Sequence, residues 1–407
     1  MILMTILGFL VVLISWKIDH RPRQYFAWLL LLETSILGVF CSLDLLLFFL
    51  FWEIEVIPMY FLISIWGTGR KEYSAIKYVV YTLFGSALML AGILSIYFTT
   101  GSLSMVDLAS KGLVMIQSIM PVVPIFFLLF VGFAVKLPMF PFHTWLPDAH
   151  TDAPTAGSVV LAGALIKMGG YGMIRVCVAI FPDVARDYAT ILLILAVISI
   201  LYGAAVTLRQ TDLKRLIAYS SISHMGYVLL GIFALTQVSL TGAALQMFSH
   251  GVVTGLLFAV AGLVMHNAHE RNLQQLGGLA RQMPIIAVVF SVAGLASLGL
   301  PSTSGFAAEF LVFVGSFSST VVAGMNVYTL LGVLGIVLTA GYILWMVQRV
   351  FYGPVLEQYN GVADADVLER GYTFTFIAII MLVGIYPAIL TDVIKIGVSP
   401  IMGLLGG

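Results

Sequence analysis

The chain is a succession of apolar runs, each about as long as a bilayer is thick, with its charges confined to short connections between them. A run of roughly 20 apolar residues spans a hydrocarbon core of about 30 Å as a helix. Inside that core each backbone N–H and C=O must find a partner within its own segment or in a closed barrel, and long unalternating runs satisfy this only as helices. Apolar residues make up 61% of the 407 positions and charged residues 9%, against about 25% charged in a soluble domain. The fold class expected is therefore all-α, a polytopic membrane protein. Spans fall near 1–16, 24–44, 45–67, 73–99, 121–137, 155–180, 187–207, 214–235, 240–266, 283–320, 326–350 and 371–394, about twelve in all. A net charge of zero gives no footprint for nucleic acid or another polyanion.

Loop charges set an orientation. Lys17, Arg21 and Arg23 share one loop, Arg70 and Lys71 a second, Arg209, Lys214 and Arg215 a third, Arg271 and Arg281 a fourth, and Arg349 opens a fifth. With twelve spans all five lie on one side, which the positive-inside rule makes cytoplasmic. That count treats 283–320 as one helix broken at Pro301-Ser-Thr-Ser-Gly305; two spans joined by a tight turn would put Arg349 on the wrong side. The stretch 103–120 reads as interfacial, and 352–370 is the longest polar connection. The first run lacks the basic start and small-residue cleavage site of a signal peptide. Cys41 and Cys177 make no disulfide framework or metal set, and no phosphate-binding glycine loop is present.

Ionisable residues interrupt these runs. Lys136, in Phe-Ala-Val-Lys-Leu-Pro138, follows a charge-free run from Ile125 to Val135. A lysine at the centre of a membrane helix costs about 2.5–3.5 kcal/mol on insertion scales, and Pro138 breaks the helix beside it. Such a break is tolerated only where protein or water surrounds the freed backbone. Glu53 and Glu55 lie in a deep apolar run; two positions apart, they point to roughly opposite faces, and Glu53 is the partner preferred for Lys136. Lys167 lies among small residues that let helices approach closely, with no room to snorkel. His224 and His250, each flanked by serine, occupy adjacent spans, and Glu309 follows the second break. A lone buried histidine is ordinarily a satisfied core group; two of them near lysine and glutamate suit a relay of groups titrating near neutral pH. Lys77 and Glu33 are weaker candidates, since Lys77 can snorkel and Glu33 can pair locally. His143, Asp148, His150 and Asp152 cluster after Pro138 but match no metal-ligand spacing, so no metal is expected. Breaks near Pro138 and Pro301, each with an ionisable residue, point to inverted repeats with midplane sites.

Taken together, Phe51-Trp52-Glu53…Ile57-Pro58-Met59-Tyr60, Val135-Lys136-Leu-Pro138…Pro141-Phe-His143-Thr-Trp145-Leu-Pro147-Asp148-Ala-His150, Ala153-Pro-Thr-Ala-Gly157…Lys167-Met-Gly, Leu213-Lys214-Arg-Leu-Ile-Ala-Tyr219-Ser-Ser-Ile-Ser-His224 and Gly305-Phe-Ala-Ala-Glu309 resemble the antiporter-like membrane subunits of respiratory complex I, NADH:quinone oxidoreductase. Within that family the Ala153–Gly163 stretch and Glu309 come nearest the M type, the mitochondrial subunit 4 type; the Mrp-type sodium/proton antiporters and the complex I L type usually read differently there. The resemblance implies an inverted-repeat antiporter-like fold. Residues 1–180 would hold the N-terminal helices and first repeat, 181–350 the second repeat, and 351–407 a loop and C-terminal helix. It implies a proton pathway through Glu53, Lys136, Lys167, His224, His250 and Glu309, driven by quinone reduction elsewhere. FMN, iron–sulfur clusters and quinone would sit in other subunits, with none in this chain. Other membrane-arm subunits and the lipid bilayer would be its partners, in a bacterial inner membrane. The family's first two spans have no counterpart, so the chain is read as beginning at the third. The alternatives are an Mrp-type antiporter subunit, a membrane subunit of a ferredoxin-linked or hydrogenase complex, and a non-transporting scaffold, which the buried lysines disfavour.

Overall fold

The computed structural model describes residues 1–111 and 120–405. Its helices follow the apolar runs. α1 (Ile2–Ile14) and α2 (Pro22–Cys41) come first. Asp44 then caps α3 (Leu45–Ile54), its carboxylate accepting from the N–H groups of Leu46 and Leu47 at 2.9 and 3.0 Å. α4 (Val56–Trp66) continues the same span after a one-residue break at Glu55. Pro58 causes that break, having no N–H to give the Ile54 carbonyl one turn earlier. α5 (Lys71–Thr100) returns, and α6 (Met105–Lys111) opens the segment expected to be interfacial; its continuation, 112–119, lies outside the described residues.

α7 (Val122–Lys136) and α8 (Trp145–Asp152) are the halves of a span interrupted beside Pro138. α9 (Thr155–Val160) and α10 (Lys167–Gly172) belong to one span in which two widened π turns, Leu161–Leu165 and Met173–Val178, flank the Lys167 segment. α11 (Pro182–Asp187), α12 (Ala189–Thr207), α13 (Leu213–Phe233) and α14 (Gln237–Ala268) follow. α15 (Pro284–Ser297) and α16 (Ser304–Phe317) have 14 residues each, about 21 Å of helix. Neither alone crosses a core of about 30 Å, so together they make one broken span. α17 (Met325–Phe351), α18 (Val367–Ile385) and α19 (Ala388–Leu404) complete the chain. The last expected span, 371–394, is corrected here: it straddles a break at Tyr386-Pro387, and α19 is a separate helix. Between 381 and 394 only Asp392 is charged, so the run reads as continuous across Pro387.

An internal repeat is visible in the backbone. Asp44, ahead of α3, bridges to Ser104 beyond α5; Asp212, ahead of α13, bridges to Asn272 beyond α14. Each aspartate also caps the helix it precedes, and each unit is followed by a broken span, α7–α8 or α15–α16. The two units begin an odd number of crossings apart, so the second is inverted relative to the first.

α13, α14 and the Thr155–Val178 span form the interior, 89–94% of their apolar windows being buried, against 33–50% for the other long spans. The outer helices turn Leu, Ile, Val and Phe outward, as a lipid- or subunit-facing surface requires. On the positively charged side α8 ends in a layer of ion pairs: Asp148 meets Lys77 at 2.7 Å and Arg215 at 3.4 Å, and Asp212 meets Arg271 at 2.8 Å. There too Lys17 bridges Asp366 and Glu369 at 2.7 and 2.8 Å. The hydrogen bonds it donates to these carboxylates hold the Lys17 ammonium above its ordinary pKa, and Lys17 holds Asp366 below the usual carboxylate range.

Gly169 lets α10 close on α7. A Cβ there would stand 2.6 Å from the Phe133 carbonyl oxygen and 2.7 Å from the Leu137 nitrogen. Both are backbone atoms and cannot yield by changing rotamer. Gly169→Ala is expected to cost about 1–3 kcal/mol, the usual penalty of overpacking, and to lower the thermal midpoint of the purified assembly; an unchanged midpoint would contradict this close approach.

Candidate functional site

The first ionisable pair is not the one the sequence suggested. Lys136, at the C-terminus of α7, is hydrogen-bonded to Oε1 of Glu55, and both side chains are buried. The Tyr78 hydroxyl donates to Glu55 Oε2 at 2.7 Å. The ammonium also lies 5.3 Å from the Trp52 ring centroid and 5.5 Å from that of Tyr78. The expected partner, Glu53, faces the other way. It lines an apolar groove with Leu50, Ile54, Ile57, Tyr60 and Leu83, and its buried Oε1 has no partner among the described residues. The break at Glu55 decides the pairing. It turns Glu55 toward Tyr78 of α5 and Lys136 of α7, and leaves Glu53 facing a groove whose other wall includes Leu83 of α5. The local signal was Pro58, whose effect falls on Glu55 rather than Glu53.

The second set lies in the interior helices. Lys167 turns back onto the Ala162 carbonyl oxygen, within the widened turn of its own span. Its Nζ is 2.6 Å from Nδ1 of His250 on α14. The rings of His250 and His224, on α13, are 5.4 Å apart. His224 Nε2 is 3.8 Å from Glu309 Oε1 on α16. Its nitrogens also face carbonyl oxygens, Nδ1 that of Ser220 at 2.8 Å and Nε2 that of Ser297 at 3.0 Å. A neutral imidazole can donate to only one of these, whereas a doubly protonated ring donates to both. Lys167, His250, His224 and Glu309 thus form a line across four helices, all buried.

The α15–α16 break supplies the room at the end of this line. Gly299 has φ +80°, and a Cβ on it would meet Glu309 Oε2 at 2.7 Å. A side chain in its place would be strained as well as crowded. A cavity of ≈ 10 Å³ is lined by His224, Gln246, Ser249, His250, Ser297 and Glu309, about the space of one water. Ser249 donates to Ser304 at 2.8 Å across its wall.

The weaker candidates take separate places. Lys77 belongs to the charged layer with Asp148. Glu33 is half-buried against Gly8 of α1, and its Oε1 has no partner among the described residues. His143 Nε2 lies 3.3 Å from the Tyr202 hydroxyl, and Asp152 accepts from Ser74 at 2.6 Å. Sequence reasoning missed Tyr78 and Gln246, uncharged residues in otherwise ordinary helical runs; only the packed structure reveals their places beside Glu55 and Glu309.

A buried row of lysine, histidine and glutamate, bent across broken helices of two inverted repeats, narrows the comparison with known proteins. The family described as NADH:quinone oxidoreductase/Mrp antiporter, transmembrane, matches residues 42–339. The chain belongs to this family. NADH-quinone oxidoreductase subunit M of Rhodobacter capsulatus is 41% identical over 393 residues, which cover 93% of this chain and 75% of that protein. The NAD(P)H-quinone oxidoreductase chain 4 1 of Synechococcus sp. (strain JA-3-3Ab) is 42% identical, covering 94% and 73%. A chain of respiratory complex I from Thermus thermophilus, solved with bound NADH, superposes with a TM-score of 0.91 at 29% identity, covering 100% of this chain and 84% of that one. The similarity therefore runs to the M or chain 4 type of antiporter-like membrane subunit, as the Ala153–Gly163 stretch led us to expect.

Proposed function

We propose that this chain is a proton-translocating membrane-arm subunit of an NADH:quinone oxidoreductase in a bacterial inner membrane, and that neighbouring antiporter-like subunits flank it there. The observation that carries the reading is the continuous buried line Lys167–His250–His224–Glu309. Side chains that exchange protons are expensive to bury in a membrane and are kept there for a path or a relay. FMN, iron–sulfur clusters and quinone belong, in this reading, to other subunits. This chain contributes charge and proton transfer.

The mechanism follows from the two sets. While Lys136 is held by Glu55, its charge is neutralised. Moving the two apart leaves an uncompensated ammonium in a low-dielectric interior, and the lysine then tends to release its proton or repel the next positive charge along the axis. That field acts on Lys167, whose helix packs on α7 at Gly169. A proton displaced from Lys167 passes to His250 and His224 and leaves through Glu309. Redox energy enters as work done on the ion pair.

The second reading, an Mrp-type sodium/proton antiporter subunit, draws on the family description itself. NADH-driven acidification of inside-out membrane vesicles carrying the assembled complex separates the two. Under the proposed function Lys167→Ala lowers acidification at equal complex content, with or without sodium. Acidification that requires sodium would favour the antiporter. Undiminished acidification in Lys167→Ala would remove the line from the transport mechanism.

A further inference from the structure

His150, on the half-helix α8, is used by neither set. Its side chain is fully buried, and both ring nitrogens lack a protein partner among the described residues. A neutral imidazole has one donor and one acceptor to satisfy, and buried polar groups are nearly always satisfied. The other acids of α8 are engaged: Asp148 by Lys77 and Arg215, Asp152 by Ser74. The ring of His150 stacks on Phe258 with centroids 4.4 Å apart and planes 7° from parallel. The stacking fixes its plane, with both buried nitrogens at the ring edges that Phe258 does not cover.

Its position is that of a connector. Phe258 lies eight residues along α14 from His250, about 12 Å toward the positively charged side at 1.5 Å per residue. Lys214 lies on that side, its ammonium donating to the Ala153 carbonyl at 2.8 Å. A cavity of ≈ 190 Å³ opens on the same side, lined among others by Pro154, Thr155, Ala259, Gly262, Lys17 and His266. Ala259 is the neighbour of Phe258, and Pro154 the neighbour of Ala153. The cavity wall thus adjoins Phe258, on which His150 stacks, and Ala153, whose carbonyl takes the Lys214 hydrogen bond.

We propose that His150 is the intake station of the path, passing protons from the cytoplasmic cavity to Lys167. One ring nitrogen accepts a proton from water on the cavity side. The other nitrogen releases its own proton, through water, to the neutral amine of Lys167. The ring remains neutral, and a tautomer change resets it. This rests on the proton-transport reading above.

The test uses inside-out vesicles with His150→Phe, which keeps the stacking, His150→Gln, which keeps hydrogen bonding but cannot relay a proton, and Lys167→Ala. Acidification per assembled complex and the H₂O/D₂O ratio of NADH turnover are measured. Both His150 variants should fall to about one-hundredth of wild-type acidification, the lower range for loss of a positioned acid–base group, and the isotope ratio should rise as proton intake becomes limiting. Wild-type acidification in either His150 variant beside a defective Lys167→Ala would overturn the proposal and leave the transport reading standing. Normal acidification in all three would overturn both. Loss of assembly in both His150 variants, or lowered activity at an unchanged isotope ratio, would make His150 a packing residue and overturn the proposal.

Discussion

Glu55→Leu and Lys136→Met should each destabilise the assembled subunit by about 3–5 kcal/mol, the usual result of stranding one member of a buried ion pair. The double variant should recover most of that loss, since replacing both charges by apolar groups of similar volume is often neutral or stabilising. The reason is the completeness of the site. Lys136 is enclosed by Glu55, Trp52 and Tyr78, and Glu55 has its second oxygen filled by the Tyr78 hydroxyl. No water-exposed position is left for the surviving charge. The recovered double variant should still fail to pump, because the element that redox work acts on is gone. Thermal midpoint and complex content report the first effect, and NADH-driven acidification the second. Glu53→Leu should cost less stability than Glu55→Leu, since Glu53 faces the groove. A larger loss for Glu53 would return the lysine's partnership to Glu53, and a double variant that pumps would remove the ion pair from the mechanism.

The same pair shows how far the sequence could be read. Long apolar runs were enough for the all-helical class and for the place of most spans, because apolar length is a one-dimensional property of the chain. The breaks were legible for the same reason: Pro138 and Pro301 act on their own helices. Lys136, Lys167, His224, His250 and Glu309 were legible as isolated costs, each too polar for its surroundings. Which group meets which was not. Two carboxylates two residues apart are distinguished by a local turn, and that turn depends on how Pro58 redirects the helix against α5 and α7. Tyr78 carries no charge cost and so gave no signal. His150 was visible, but beside three other ionisable residues it read as part of a loop cluster. Its separateness appears only when Asp148 and Asp152 are seen to be engaged elsewhere. The merging of α18 with the start of α19 has a similar origin: one apolar run concealed a change of direction at Pro387.

At the other end of the axis, Glu309→Gln should leave folding nearly intact and lower proton translocation by a factor on the order of 10², the lower range for loss of a positioned acid–base group. Glutamine keeps the length and shape that the space beside Gly299 accepts, and it can still accept a hydrogen bond from His224 at the 3.8 Å position after a small shift. It cannot take up a proton. The proton on His224 then has no acceptor on α16, and the line ends at the Ser220 and Ser297 carbonyls, which hold a proton donor but do not carry the proton onward. Glu309→Asp separates charge from position: it keeps the acid but draws it back from His224 into a cavity with room for about one water. A bridging water can replace a direct contact at modest cost, so Asp should restore a substantial part of the translocation lost in Gln. Gln variants that pump at the wild-type rate would place the exit elsewhere. Asp variants as poor as Gln would mean that direct contact with His224, rather than acidity alone, is what the exit requires.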